Sequence, residues 1–281
     1  KAKAAGAGVP AAPLGVEPQE FAPADDRRKV LADWMTAPDN PYFAAMIVNR
    51  TWAHYFGRGL VEPIDDMRVT NPASNEPLLG ALTAHLREKK YDLKALTRTL
   101  LNSRAYQLSS KSVQGNEADE QNFSHAAVRP MAAEVLLDAV SQVTGSPEKF
   151  NGWPEGFRAV QVWDNRMPSY FFRIFGRPVR FSVCECERGT DPSIAQALHL
   201  MNAPEIAAKI RARSGAARKL ADSDKKPDAI IDELFLATCA RRPSDAERAK
   251  MLDAFADGDR RAAVEDVMWA LLNSKEFLYN R

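Results

Sequence analysis

The chain holds 281 residues, 45% of them hydrophobic and 27% charged, enough to bury a substantial core in one large domain or two small ones. Its 38 Lys and Arg balance 37 Asp and Glu for a formal charge of +1. That balance offers no field for nucleic acid or an acidic membrane surface, no run of about eighteen apolar residues provides a membrane-spanning helix, and 3 cysteines are too few for a disulfide scaffold.

Residues 1–24 contain eight Ala, four Pro and three Gly, a composition that cannot build a core and reads as a linker to an upstream module. The first residue is Lys and no apolar signal region follows it, so the chain reads as a piece of a longer precursor. Asp25 and Asp26 can cap a helix running through Met35 and ended by Pro38. Asn40 and Pro41 then open a second, YFAAMIVNRTWAHYF, stopped by Gly57 and Gly59, with an apolar stripe of Ala45, Val48, Trp52 and Tyr55. A loop with the acidic pair Asp65 and Asp66 follows.

An internal repeat comes next. Ser74 starts a helical stretch through Lys90 and a second from Asp92, closing in LLNSRAYQL, while Ser244 starts a stretch through Phe255 and a second through Ala270, closing in LLNSKEFLY. Serine-to-asparagine spacing is 28 residues to Asn102 and 29 to Asn273, and the later copy carries a Ser244 to Glu247 capping box. Between the copies, residues 109–125 are polar loop, and Pro130–Val143 is a helix ended by Gly145, with Met131, Val135, Leu136, Ala139 and Val143 on one face. FRAVQVW and VRFSV alternate like a short strand pair. Asp191 and Pro192 read as the N-cap and first turn of a helix whose Ile194, Ala197, Leu198 and Met201 form an apolar stripe. Asn202 and Pro204 start another helix to Arg213, and a further one runs from Asp228 to Ala240, ahead of the second repeat copy. The expected fold is mostly α: a single helical domain over 25–281, with a helical-hairpin repeat and a small irregular or β insert at about 150–190.

Chemistry, if present, should sit in that insert. Nine of the chain's 24 aromatic residues fall between Phe150 and Phe181, interleaved with arginines and carboxylates, a mixture unusual for a plain core. Cys184 and Cys186 are one residue apart, and they read as packed thiols ahead of a strained vicinal disulfide or a metal site. The four histidines are scattered without metal-ligand spacing, so no metal is expected.

Six motifs in order, NRTWAHYFGRGLV, the acidic loop ending in NP, RPMAAEVLLDA, FGRPVRFSVCECER, PSIAQALHLMN and ALLNSKEFLYN, resemble the planctomycete-specific domain one family, a domain of unknown function. The likeness spans nearly everything from Arg27 to Arg281. It implies the C-terminal module of a large exported protein, periplasmic or at the cell surface, that carries a cytochrome-c-like module upstream; it implies no reaction. The chain lacks C-x-x-C-H, so no cofactor is expected here and any haem c belongs to an upstream module.

Two functional readings follow. The first is a non-catalytic binding or scaffolding module that contacts upstream domains of the same polypeptide or a polysaccharide through Trp153, Trp163, Tyr170, Arg173, Arg177, Arg180 and Arg188. The alternative is a glycan-acting hydrolase using Asp164 with Glu185 or Glu187 as acid and base beside aromatic platforms. Against both stands the plainer reading that Glu185, Glu187 and the neighbouring arginines form ion pairs pinning the insert to the helices.

Overall fold

The computed structural model describes residues 17, 26–163, 167–178, 193–256 and 258–280. As expected the chain is mostly helical, with thirteen α-helices and one two-stranded sheet among the described residues. The helices sort into two compact units that divide between Ala127 and Val128, at the end of the polar loop.

In the first unit Asp26 caps α1 (Arg27–Thr36), accepting the Arg28 N–H at 3.1 Å. The Asn40 side chain both ends α1 and starts α2 (Phe43–Phe56): it donates to the Trp34 carbonyl at 3.0 Å and accepts from the Tyr42 and Phe43 N–H groups. Gly57, at φ 83, closes α2 in the left-handed conformation that glycine tolerates. Val48 and Trp52 are buried as expected, but Ala44 and Phe56 are buried in place of Ala45 and Tyr55. The face is rotated because Asn49 is fully buried as well. Its amide donates to the carbonyls of Val61 (2.9 Å) and Ile64 (2.8 Å) and accepts the Val61 N–H (2.9 Å). The loop after α2 is thus folded back onto the helix, so closely that a Cβ at Gly59 would lie 2.3 Å from the Val61 carbonyl oxygen.

Asn75 caps α3 (Glu76–Glu88) and Asp92 caps α4 (Leu93–Leu101). Helix α3 stops two residues before Lys90 because Lys90 and Tyr91 turn through the left-handed region, at φ 52 and 62. Helices α2, α3 and α4 pack around Val48, Trp52, Leu82, Leu86, Leu96 and Leu100. Trp52 stacks on Phe56 at 3.8 Å, and the following loop brings Tyr106 and Phe123 edge-on to the same pair.

The second unit opens with β1 (Arg129–Pro130), antiparallel to β2 (Tyr279–Asn280), so its two ends are joined. Between them run α5 (Ala133–Thr144), α6 (Tyr170–Ile174), α7 (Ile194–Asn202), α8 (Pro204–Ile210), α9 (Ala216–Ala221), α10 (Pro227–Cys239), α11 (Asp245–Leu252), α12 (Arg260–Leu272) and α13 (Lys275–Leu278). Their core includes Leu136, Val140, Ile206, Ile231, Phe235 and Met268. Helix α9 has too short and too basic an apolar pattern to stand out in the sequence.

Three expectations are corrected here. Helix α5 buries Ala133, Leu136, Leu137, Val140 and Val143, while Val135 is 44% exposed. FRAVQVW forms a 3-10 turn over Ala159–Gln161, because the Asp138 carboxylate takes the N–H groups of Ala159 (2.6 Å) and Val160 (3.2 Å) that a strand would donate sideways; VRFSV lies outside the described residues. On α7 the buried residues are His199 and Leu200, and the expected stripe faces outward, with Ile194 80% exposed. That helix is capped by Ser193 in a box with Gln196, and Asp191 and Pro192 lie outside the described residues.

The two LLNS segments share their hydrogen bonds in detail. Asp92 accepts from Lys94 and Ala95, and Asp259 from Arg261 and Ala262. Ser103 and Ser274 each accept the N–H three residues on, from Tyr106 and Phe277, both at 3.2 Å. Surroundings differ: α3 packs directly on α4, whereas α12 lies against α9 and α10 and follows α11 through a 3-10 turn, Asp253–Phe255.

Replacing Asn49 by Ala strips two carbonyls and one N–H of a buried partner and should cost about 2–4 kcal/mol, read as a lowered midpoint in urea unfolding. Arg50→Ala removes the exposed pair with Asp65 (2.6 Å) and should cost less than about 1 kcal/mol. Equal effects would remove Asn49 from its role.

Candidate functional site

Glu134, Asp138 and Ser141 stand at i, i+4 and i+7 on α5, one stripe beside the helix's apolar face. Each holds a different incoming segment. Asp138, its side chain 10% exposed, binds the 3-10 turn as described and lies 3.4 Å from Arg158. Glu134 lies 3.3 Å from Arg177, whose side chain is 5% exposed, donates to the Val162 carbonyl and stacks 4.3 Å from the Phe172 ring centre. Ser141 receives Lys209 of α8 at 3.3 Å, and the same ammonium reaches the Ser146 carbonyl at 2.8 Å and Glu148 at 3.1 Å.

Lys209 and Glu148 also line a cavity of about 370 Å³ between the segment after α5, the approach to α6, and α8. Leu137, Phe150, Phe171 and Ile206 form its apolar walls, and Glu148, Asn151, Tyr170, Glu205 and Lys209 its polar lining. Behind it sits His199, 5% exposed and packed on the rings of Tyr170 (5.4 Å), Phe171 (5.6 Å) and Phe175 (6.2 Å). Its Nε2 is 3.3 Å from a Glu205 oxygen but makes no hydrogen bond. Burial pushes the imidazole pKa down from 6.5, against the opposing pull of Glu205, so the ring is neutral at pH 7.

The residues singled out from sequence divide into groups. Trp163 is 79% exposed and stands edge-on to Trp153 at 5.8 Å, which in turn meets Phe157 at 5.1 Å. Tyr170, 54% exposed, carries Arg173 over its ring at 5.1 Å. Arg177 is buried in its structural contacts and bonds a backbone carbonyl, as a capping arginine does. Asp164, Arg180, Cys184, Glu185, Cys186, Glu187 and Arg188 lie outside the described residues. Among the described residues no group of three or more His, Cys, Asp or Glu is placed to hold a metal ion. Sequence reasoning missed Glu148, Glu205 and Lys209, which converge only in space. One local signal existed, a lysine between Ile206 and Ile210 on the buried face of α8.

The first unit has a larger cavity, about 550 Å³, lined by Trp34, Phe43, Met46 and Met67. Its two carboxylates, Asp65 and Asp66, are each bound by an arginine.

Against known families, the model of PSD1, a protein of unknown function (DUF1553), matches residues 27–255. The chain belongs to the PSD1 family. No curated protein and no solved structure matches it. The PSD1 match takes in every helix of the first unit and the second unit as far as the turn after α11, and so includes the cavity and the aromatic insert.

Two outcomes test this account. An unfolded chain binds a proton at His199 with the ordinary value of 6.5, which the native state resists; stability therefore falls as pH drops below about 6.5. Chemical denaturation between pH 7.5 and 5 should show that loss, and His199→Phe should flatten it. Arg177→Ala removes the ion pair with Glu134 and the donor to the Val162 carbonyl and should cost about 3 kcal/mol, seen as a drop in melting temperature; an unchanged melting point would remove Arg177 from this anchoring role.

Proposed function

We propose that this PSD1-family chain is a non-catalytic binding module of an exported multidomain protein, joined through its Ala- and Pro-rich leading segment to upstream modules that include a cytochrome-c-like one. It holds polysaccharide on the aromatic surface of the second unit. The observation that carries the reading is Trp163: an indole 79% exposed, set edge-on against a second tryptophan. A large apolar ring left in water at a fixed angle is what a sugar face can stack on, and the perpendicular pair supplies two orientations of that surface. The upstream haem and the exported location rest on the motif resemblance and on the lack of C-x-x-C-H in this chain. The hydrolase alternative needs Asp164 with Glu185 or Glu187, which lie outside the described residues.

Affinity electrophoresis of the chain in gels holding neutral or sulfated polysaccharides tests the reading. At least one polysaccharide should retard the protein. Trp163→Ala should weaken that retardation about tenfold, the loss of roughly 1.5 kcal/mol of stacking. Retardation by none of them, or an unaltered variant, would overturn it and point to docking of the tryptophan pair on a partner domain.

A further inference from the structure

We propose that the cavity between α5, α6 and α8 is a subsite for one uncharged sugar unit, held through its hydroxyl groups by Glu205. The proposal rests on the polysaccharide reading and adds a second, more selective contact on the same unit.

The charge placement selects the ligand. Lys209 has three donors and three acceptors, the Ser146 carbonyl, the Ser141 hydroxyl and Glu148, so its charge is already matched. Lys149 turns outward to Glu155 at 3.0 Å. Glu205 is the lining carboxylate beside an uncharged neighbour, the buried Nε2 of His199, which makes no hydrogen bond. A slight turn of Glu205 would bring the imidazole N–H into line and fix the carboxylate, whose remaining lone pairs accept donors from the cavity. Burying that carboxylate under an apolar ligand would leave it unpaired, at high cost, and an anion would meet two carboxylates with the lysine already engaged. Vicinal hydroxyls of a pyranose supply the paired donors that a carboxylate accepts. Asn151 and the Tyr170 phenol add polar partners at the rim, and Leu137, Phe150 and Phe171 the apolar wall. About 370 Å³ is near the small end of ligand sites, roughly 300–1,000 Å³, fitting a single ring rather than a chain.

The test is saturation-transfer NMR and calorimetry on the full chain with glucose, galactose, mannose and xylose, alongside glucosamine and glucuronate, and with a Glu205→Ala variant. Glu205 is half exposed, so the variant should fold, checked by its melting temperature. The expected result is millimolar binding of at least one neutral pyranose, none of glucuronate, and at least tenfold weaker binding in Glu205→Ala. Binding of glucosamine or glucuronate alone would overturn the uncharged ligand. Polysaccharide retardation with no monosaccharide bound, or with Glu205→Ala binding as the wild type does, would overturn the subsite and leave the polysaccharide surface standing. Glu205-dependent monosaccharide binding without polysaccharide retardation would do the reverse.

Discussion

The polar stripe of α5 is the constraint on which the second unit depends. A helix that packs its apolar side into a core usually gives its polar side to water. Here Glu134 and Asp138 are 14% and 10% exposed, and their partners arrive from irregular chain: a 3-10 turn at Ala159, and Arg177 just past α6. Irregular backbone cannot satisfy its own N–H and carbonyl groups, so it can be buried only where side chains do it instead. Asp138 accepts two such N–H groups, and Arg177 and Lys209 each bind a carbonyl. Of these fixed points Lys209 also lines the cavity.

The same solution recurs elsewhere in the chain. Asn49 meets two carbonyls and an N–H of the loop after α2. Arg260 reaches the carbonyls of Ala221 and Ser223 at 2.8 and 2.7 Å, and also that of Lys225, closing the end of α9. Arg241 bridges Glu247 and Glu276 while lying 5.5 Å from the Phe235 ring centre, tying α10, α11 and α13 together and holding the Glu247 carboxyl down to about 2. Long amide and guanidinium side chains thus replace the extended sheets that another fold would use to satisfy the loops.

Function follows from what these interactions leave over. Of the arginines that looked available for ligand in the sequence, two are described: Arg177 is committed to the scaffold, and Arg173 lies over the Tyr170 ring. Among the described residues the second unit leaves open an exposed tryptophan corner and a small cavity with a carboxylate beside the buried His199. The proposed binding role draws on these two features.

Much of the fold was legible in the residues themselves. Helix ends were, because Asp26, Asp92, Ser244, Gly57 and Gly145 act on the backbone within a few residues of themselves, and so was the LLNS repeat, whose hydrogen bonds are local. Helix faces were less so: VLLDAV offers two apolar registers on α5, and α7 shows an apolar stripe to solvent while burying His199. The choice between registers was made by partners distant in sequence, as when Asp138 drew in Ala159 and cancelled a strand. By itself the sequence determined a helical chain, its caps, the local hydrogen bonds of its two LLNS segments and its family, since each rests on short-range geometry or residue order; the hairpin packing of the two copies differs. Only the tertiary structure decided which polar groups became scaffold and which stayed free, because pairing a buried charge depends on what the fold brings within about 3 Å of it.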